Sequence, residues 1–211
     1  GLGSPAALYL AAAGVGTLGI VDHDTLDASN LQRQVLYDTA TVGRAKADAA
    51  RERLAALNPH IAIVAHRERL DGRNALRLVE PYGLVVDGSD RLGTRYAVND
   101  ACVLLGRPLV SAAIHRFEGQ ATTCLPGRGP CYRCLFPQAD DAAVPNCAEA
   151  GVLGVLPGIM GSIQAAEAIK VLLGIGEPLV GRMLAFDALA MRWQEFRYAR
   201  RADCPACGER P

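Results

Sequence analysis

Short apolar runs alternate with longer helix-type segments over the first half of the chain. Residues 18–21 and 84–87 are apolar runs that end at an aspartate, and their lack of polar alternation is typical of buried parallel strands. Residues 42–57 are predicted to form a helix that stops at Asn58-Pro59. This alternation predicts an α/β fold with a doubly wound, mostly parallel sheet.

Local start and stop signals predict the remaining elements. Ser4 followed by Pro5 indicates a helix start, with serine as the N-cap and proline at the first helical position. Residues 108–113 and 119–124 are predicted strands with no helix between them, so we expect added antiparallel strands. The other predicted elements are helices at 74–79, 96–105 and 159–173, and strands at 61–65, 183–187 and 191–198.

Residues 126–151 are rich in glycine, proline and cysteine and show little periodicity. Such a segment is too long for an ordinary connection, so we expect a functional, crossover-type loop there. The whole chain has 211 residues and is 50% hydrophobic, which is enough to bury the core of one large domain. The sequence therefore predicts a single domain that spans residues 1–211.

Composition excludes several classes of function. Basic and acidic residues balance at 22 each, so we expect no nucleic-acid partner. No apolar run approaches the roughly 18 to 20 residues that span a bilayer, so we expect no membrane partner. The first residues lack the pattern of a secretory signal, and the expected location is the cytoplasm.

Four of the seven cysteines form two C-x-x-C pairs, Cys131 with Cys134 and Cys204 with Cys207. An odd number of cysteines argues against a disulfide framework, and four thiolates at this spacing favour a closed tetrahedral zinc site. Such a site would clip the long loop to the end of the chain in a structural role. The alternatives are two unrelated reduced pairs or, less favoured, a thioredoxin-like redox role.

The hexapeptide at residues 29–34, Ser-Asn-Leu-Gln-Arg-Gln, carries the main chemical signal. Arg33 can bind phosphate oxygens in a bidentate fork, and Lys46 can add a point charge. Asp22, at the end of an apolar strand, is suited to bind a ribose, and Asp90 to hold magnesium. Each residue alone could be a solvated surface group, but together they predict a polyphosphate site.

These motifs resemble the ubiquitin-activating superfamily and, within it, the bacterial adenylyltransferases of molybdopterin and thiamin synthesis. The resemblance covers essentially the whole chain and implies a Rossmann-like α/β fold. The matching segments are residues 1–3, 13–16, 21–24, 29–34, 42–43 with Lys46, 58–59, 87–90, 118–120, both C-x-x-C pairs and 147–151.

The resemblance implies a reaction in which the C-terminal glycine carboxylate of a ubiquitin-like sulfur carrier attacks the α-phosphorus of ATP. Because that carboxylate has a pKa of about 3.5, no general base is needed. Implied cofactors are ATP, magnesium and zinc, and implied partners are a carrier with a Gly-Gly tail, a second copy of the chain and, in some relatives, a sulfurtransferase. Implied catalytic residues are Arg33, Lys46, Asp90 and Cys147, and implied cofactor-binding residues are Gly1, Gly3, Asp22, Ser29, Asn30, Leu31, Gln32, Arg33, Lys46, Asp90 and Arg91.

The sequence departs from this pattern at three places. The first strand of the family and the first half of its Gly-rich turn are absent ahead of Gly1, so the sheet is expected to lack its first strand. The N-terminal arm, through which a partner subunit supplies an arginine, is also absent. Arg91 stands where relatives usually carry asparagine, which could alter contacts with adenine or phosphate.

Two other functions remain open from the residues alone. An NAD-dependent oxidoreductase would share the sheet and Asp22, but it would need neither Arg33 nor Lys46. A non-catalytic, zinc-stabilised carrier-binding module, or an inactive fragment of the enzyme, would keep the fold without activating the carrier. Cys147 has two readings, as a thiol that attacks the adenylate or joins sulfur transfer, and as a loop cysteine that lines the channel for the carrier tail.

Overall fold

Helices and strands alternate through the structure, a computed structural model that describes residues 1–137 and 151–209. Two 3₁₀ turns, Ala28–Asn30 and Thr39–Thr41, lie between the first strand and the second helix. The helices are α1 (Gly3–Ala12), α2 (Lys46–Leu57), α3 (Ala75–Val79), α4 (Leu92–Leu105), α5 (Tyr132–Leu135) and α6 (Leu156–Leu173). The strands are β1 (Thr17–Val21), β2 (Ala62–His66), β3 (Val85–Asp87), β4 (Leu109–His115), β5 (Glu118–Cys124), β6 (Arg182–Asp187) and β7 (Arg192–Arg197).

The strands form two sheets, a small parallel one and a larger one that has both parallel and antiparallel pairs. β1 pairs with β2 in parallel, and the second sheet has the order β3-β4-β5-β6-β7. In that sheet β3 and β4 are parallel, whereas each later pair is antiparallel. The predicted added antiparallel strands are present, but the prediction of a mostly parallel sheet is wrong. Only Arg116 and Phe117 connect β4 to β5, and two residues allow a hairpin but not a parallel crossover.

One edge of β1 and one edge of β3 are unpaired within the described residues. Both strands line a cavity of about 1190 Å³. The ring of Tyr82 lies against Gly19 of β1, and its hydroxyl is 2.8 Å from Nε2 of His66. The cavity therefore lies beside one strand of each sheet.

Helices cover both faces of the larger sheet, as a doubly wound arrangement requires. α3 and α4 pack with Leu109 on one face, while α1 and α6 pack with Val110 and Ala112 on the other. This division follows from β4 geometry, because neighbouring residues of a strand point to opposite faces. Ala50 and Leu54 of α2 pack with α1 and the smaller sheet in a separate cluster.

Helix α6 has 18 residues and is, by length and composition alone, long and apolar enough to cross a membrane, so the expectation that no apolar run approaches this length is wrong. Its Met160 and Ala168 are nonetheless fully buried among residues of α1 and the sheet. Glu167 of the same helix accepts hydrogen bonds from the Thr123 hydroxyl at 2.6 Å and the Leu179 amide at 2.7 Å. Its apolar character is thus accounted for by packing in the protein core.

The predicted start of α1 is wrong. The helix begins at Gly3, its N-cap position is Leu2, and no side chain caps it. Ser4 is buried within the first turn, and its amide donates to the Gly1 carbonyl at 3.2 Å. Ser4 and Pro5 therefore lie two residues, or about half a turn, deeper in the helix than the N-cap pattern indicates.

The predicted start of α2 at residue 42 is also wrong, because the helix begins at Lys46. Asp38 is the N-cap of the 3₁₀ turn Thr39–Thr41 and accepts a hydrogen bond from the Thr41 amide at 3.1 Å. This turn is separate from the helix that follows it. Gly43 then adopts a φ of +87°, which interrupts any continuous helix. The predicted stop at Asn58 is confirmed.

Two further helices begin about one turn earlier than predicted. α4 begins at Leu92 rather than 96, and α6 begins at Leu156 rather than 159. The segment predicted as a loop at 126–151 contains the short helix α5. The part of that segment at 138–150 lies outside the described residues.

Candidate functional site

The predicted phosphate-binding hexapeptide begins in the first 3₁₀ turn. The Asp27 side chain accepts from the Ser29 amide at 2.8 Å, and the Asn30 side chain accepts from the Asp27 amide at 3.3 Å. This reciprocal capping box holds the turn closed. Arg33 follows it and uses one donor on the Ser29 carbonyl at 3.3 Å. Arg33 makes no ion pair with the described residues, so most of its guanidinium remains available to a ligand.

Lys46 is buried, and its ammonium donates to Oδ2 of Asp24 at 2.9 Å. The Asp24 side chain is 51% exposed, against 7% for Lys46, so the buried cation is paired with an anion at the cavity rim. Lys46 is the first residue of α2, where the helix dipole disfavours a cation and favours an anion. This position suits a lysine that binds phosphate rather than one that stabilises the helix.

Asp22 and Asp24 lie next to β1 with different electrostatics. Asp22 accepts a hydrogen bond from the Asp24 amide at 2.9 Å, and burial raises the pKa of the Asp22 carboxyl. Burial also acts to raise the pKa of Asp24, but the hydrogen bond and charge of Lys46 outweigh it and lower that pKa. Burial thus sets the direction of the shift in the pKa of Asp22, whereas the cation that starts α2 sets the direction of the shift in the pKa of Asp24.

The loop after β3 reaches the same cavity from the other sheet. Asp87 is buried and accepts a hydrogen bond from the Ser89 amide at 2.9 Å. A side chain at Gly88 would come within 2.8 Å of the Leu2 Cβ atom, so only glycine lets this loop approach the start of α1. Asp90 follows as an exposed carboxylate at the carboxyl end of the strand.

Most of the predicted cofactor-binding residues line one cavity. These predicted residues combine three cationic side chains with carboxylates that follow β1 and β3, a composition suited to a polyphosphate and its counterion. The predicted residues that line it are Gly1, Gly3, Asp22, Asn30, Arg33, Lys46, Asp90 and Arg91.

Three predicted residues, Ser29, Leu31 and Gln32, do not line this cavity. The Ser29 carbonyl accepts from Arg33, so Ser29 contributes through its backbone. A side chain at Gly154 would meet the Gln32 backbone and side chain, so Gln32 packs against the segment that leads into α6.

The four cysteines of the two C-x-x-C pairs are brought together as predicted. Their sulfurs all lie within 4.8 Å of one another. Cys131 Sγ is 3.6 Å from Cys204 Sγ, and Cys134 Sγ is 3.4 Å from Cys207 Sγ. A zinc–sulfur bond of about 2.3 Å places tetrahedral sulfurs about 3.8 Å apart, so the group fits one ion after a small expansion.

The chain around the cysteine group holds both pairs in place. The Tyr132 amide donates to Oδ1 of Asn99 at 2.8 Å, and Arg133 forms a bidentate pair with Asp100 at 2.7 Å for each bond. These contacts tie the first pair to α4. The Arg201 amide lies 3.4 Å from Cys134 Sγ and links the second segment to the first pair.

The other described cysteines are poor candidates for a nucleophile. Cys102 and Cys124 are buried, and burial raises the pKa of each thiol to about 12. At neutral pH both are therefore protonated and shielded from substrate. Cys147 lies outside the described residues, and both readings of that cysteine stay predictions.

Sequence reasoning missed two residues that organise the nucleotide cavity. Asp24 was noted as part of a motif, but its pairing with Lys46 joins positions 22 residues apart and has no local signal. Arg95 was not singled out, because it lies inside a helix without a recognisable motif. It is buried and hydrogen-bonds to residues of β4 and of the loop after β3.

The fold and its sites together define an α/β nucleotide-binding domain with a separate four-thiol centre. The nucleotide-type cavity runs along β1 and β3 and includes the residues that follow their carboxyl ends, where ligand sites of such folds lie. The chain belongs to the ThiF family, whose sequence profile matches residues 1–206. Family membership confirms the resemblance on which the sequence analysis relied.

Named relatives support this membership. The sulfur carrier protein adenylyltransferase of Thermus thermophilus is 54% identical over 217 residues, which cover 100% of this chain and 80% of that protein. The SAMP-activating enzyme E1 of Haloferax volcanii is 51% identical over 210 residues, which cover 99% of this chain and 77% of that protein. The adenylyltransferase and sulfurtransferase MOCS3 of Sus scrofa is 52% identical over 100% of this chain, which spans only 47% of that protein.

Solved structures agree on the fold. A crystal structure of E. coli MccB with ATP matches 99% of this chain and 64% of its own length, with a TM-score of 0.86 and 21% identity. At this identity the match supports the α/β architecture rather than a shared substrate.

Proposed function

We propose that this chain is an ATP-dependent adenylyltransferase for a ubiquitin-like sulfur carrier with a Gly-Gly tail. The observation that carries the proposal is the meeting of Arg33, Lys46 and Asp90 in one cavity between β1 and β3. Family membership and the activities named for the Thermus and Haloferax relatives support the same reaction.

The reaction joins the carrier to AMP. An oxygen of the C-terminal glycine carboxylate attacks the α-phosphorus of ATP, the bond to the bridging β-phosphate oxygen breaks, and pyrophosphate leaves. The attacking carboxylate is already ionised at neutral pH, so the protein needs to supply positions and charge rather than a base. Arg33 and Lys46 neutralise the phosphates, and Asp22 binds the ribose.

Asp90 fits the role of a magnesium ligand. It is an exposed carboxylate that makes no hydrogen bond to the described residues, and hard oxygen ligands are what magnesium prefers. Magnesium supplies further charge neutralisation on the phosphates when bound. Arg91, at the N-cap of α4, lines the same cavity and adds a third cation near the phosphates.

The partners and location complete the proposal. We propose a homodimer, a sulfurtransferase partner, a role in molybdopterin or thiamin synthesis and a cytoplasmic location by analogy with the family. The name of the relative MOCS3 joins adenylyltransferase and sulfurtransferase activities in one protein.

Carrier-dependent exchange of radiolabelled pyrophosphate into ATP tests this function. We expect exchange in the presence of magnesium and a purified carrier with a Gly-Gly tail, and none with a carrier that lacks the last glycine. A zinc-stabilised scaffold would bind the carrier without exchange, and an oxidoreductase would bind NADH in place of magnesium ATP. Absence of exchange, also after an apolar strand is added ahead of Gly1, would overturn the proposal.

We further propose that the four cysteines hold one structural zinc ion. Four thiolates leave no open position for water, so the ion would join the segment around Cys131 to the segment around Cys204. Its binding contributes to folding, with apparent values of about 10 kcal/mol or more in zinc fingers.

Cys204→Ser is expected to remove zinc and destabilise the protein. We expect about one zinc per chain in the parent by elemental analysis, and a fall in the midpoint of thermal unfolding of about 10 °C or more, at about 2–4 °C per kcal/mol. Cys102→Ser is the matched control, because Cys102 is equally buried but lies outside the group. Equal zinc contents in the two variants would contradict the assignment.

A further inference from the structure

We propose that Arg95 is a positioning residue that fixes the loop carrying Asp90 and thereby sets the magnesium dependence of adenylation. The inference rests on the proposed function, because it assumes that Asp90 holds the metal of the nucleotide. Arg95 lies in α4, is 6% exposed, and does not pair with a carboxylate within hydrogen-bond distance among the described residues. Burying a guanidinium without such a partner costs free energy unless hydrogen bonds to other groups compensate for the lost contact with water.

The hydrogen bonds of Arg95 continue the contact between β3 and β4 beyond the end of their ladder. The last paired residues are Asp87 and Ser111. Past that point, Nη1 of Arg95 donates to the Ala112 carbonyl at 2.8 Å, while Nη2 donates to the Ser89 carbonyl. One planar fork thus bridges β4 and the loop after β3, beyond the last residue pair of the two strands.

Ser89 is held from both sides by these contacts. Its amide donates to the Asp87 carboxylate, and its carbonyl accepts from Arg95. Asp90 is the next residue and its side chain makes no hydrogen bond to the described residues. The position of the Asp90 carboxylate therefore depends on the backbone that Asp87 and Arg95 hold.

The substitution Arg95→Lys distinguishes the effect of the two-pronged hydrogen bonding from the effect of the positive charge. Lysine keeps the cation but cannot bond both carbonyls in the same planar geometry. A misplacement of about 1 Å in a reacting group can cost about 100-fold in rate, so we expect kcat for exchange to fall by at least tenfold. We also expect the magnesium concentration for half-maximal exchange to rise about tenfold, with the carrier KM unchanged.

Arg182→Lys is the matched control. Arg182 also donates to two carbonyls, those of Glu177 and Pro178, and it pairs with Glu195 on β7. It does not line the nucleotide cavity. Its replacement is expected to lower stability without a change in magnesium dependence.

Amide hydrogen exchange gives a readout that does not depend on activity. In Arg95→Lys we expect the Ser89 amide to exchange about tenfold faster, with the amides of β4 and α6 unchanged. Unchanged exchange at Ser89, or equal loss of protection throughout the protein, would overturn the positioning role. A parent chain with protected Ser89 but no pyrophosphate exchange would instead overturn the proposed function. If Asp90→Asn raises the magnesium requirement but Arg95→Lys does not, the positioning role of Arg95 is overturned while the proposed function stands.

Discussion

Replacing Lys46 with alanine is expected to lower carrier-dependent pyrophosphate exchange by about 100- to 1,000-fold, the usual effect of removing one preorganised donor to developing charge. The ammonium is buried at the start of α2 and lines the cavity that also contains Arg33. Its partner Asp24 is at the rim, so an incoming phosphate can take over the hydrogen bond. The adenylation rate should fall more than the carrier affinity, because the charge acts on the phosphates.

Lys170→Ala is the matched control for this prediction. The chain has two lysines, and Lys170 lies on α6, where it pairs with Glu167 and donates to the Glu177 carbonyl. Its loss is expected to lower stability without a specific loss of exchange. The measurement is the initial rate of exchange at saturating carrier, with thermal unfolding followed in parallel. Exchange within threefold of the parent in Lys46→Ala would contradict the phosphate-binding role.

The features that the sequence predicted well are those with a local physical cause. The stop of α2 at Asn58 follows from the proline after it, and the strand ending at Asp87 follows from a continuous apolar run. The cysteine group follows from two short spacings that already match a tetrahedral ion, so only the meeting of the pairs had to come from the fold.

The features that the sequence could not supply depend on distant residues. α2 begins late because Asp38 caps a separate turn and Gly43 breaks the helix, whereas the apolar pattern runs through both. The pairing of Lys46 with Asp24 and the bridge made by Arg95 join elements that meet only after folding. Such polar contacts leave no periodic trace in the sequence.

The division of the sheet has the same origin. The apolar pattern predicts β1 and β3 as buried strands but does not reveal which strand lies between them. Among the residues that the structure describes, both strands are only partly buried and each has an unpaired edge beside the cavity. Unpaired backbone groups inside a fold are costly. We propose that an extended apolar segment joined ahead of Gly1 fills this position and pairs with both edges.

Adding such a segment is expected to raise the free energy of unfolding by about 5 kcal/mol or more. Burial of four or five apolar side chains contributes about 10 kcal/mol. Ordering five residues costs about 5–10 kcal/mol, and hydrogen bonds to two strand edges, at about 1 kcal/mol each, offset much of that cost. The measurement is denaturant unfolding of the chain extended by five β-branched residues and a glycine-rich link.

A polar extension of the same length and link provides the control, because it adds mass without a strand that can be buried. The apolar extension should also raise the affinity for magnesium ATP. It would fix the distance between β1, which is followed by Asp22, and β3, which leads to Asp90. Equal unfolding free energies for the two extensions would show that the cavity does not accept a strand. In that case bound ATP itself would have to fix the distance between Asp22, which is proposed to bind the ribose, and Asp90, which is proposed to hold magnesium.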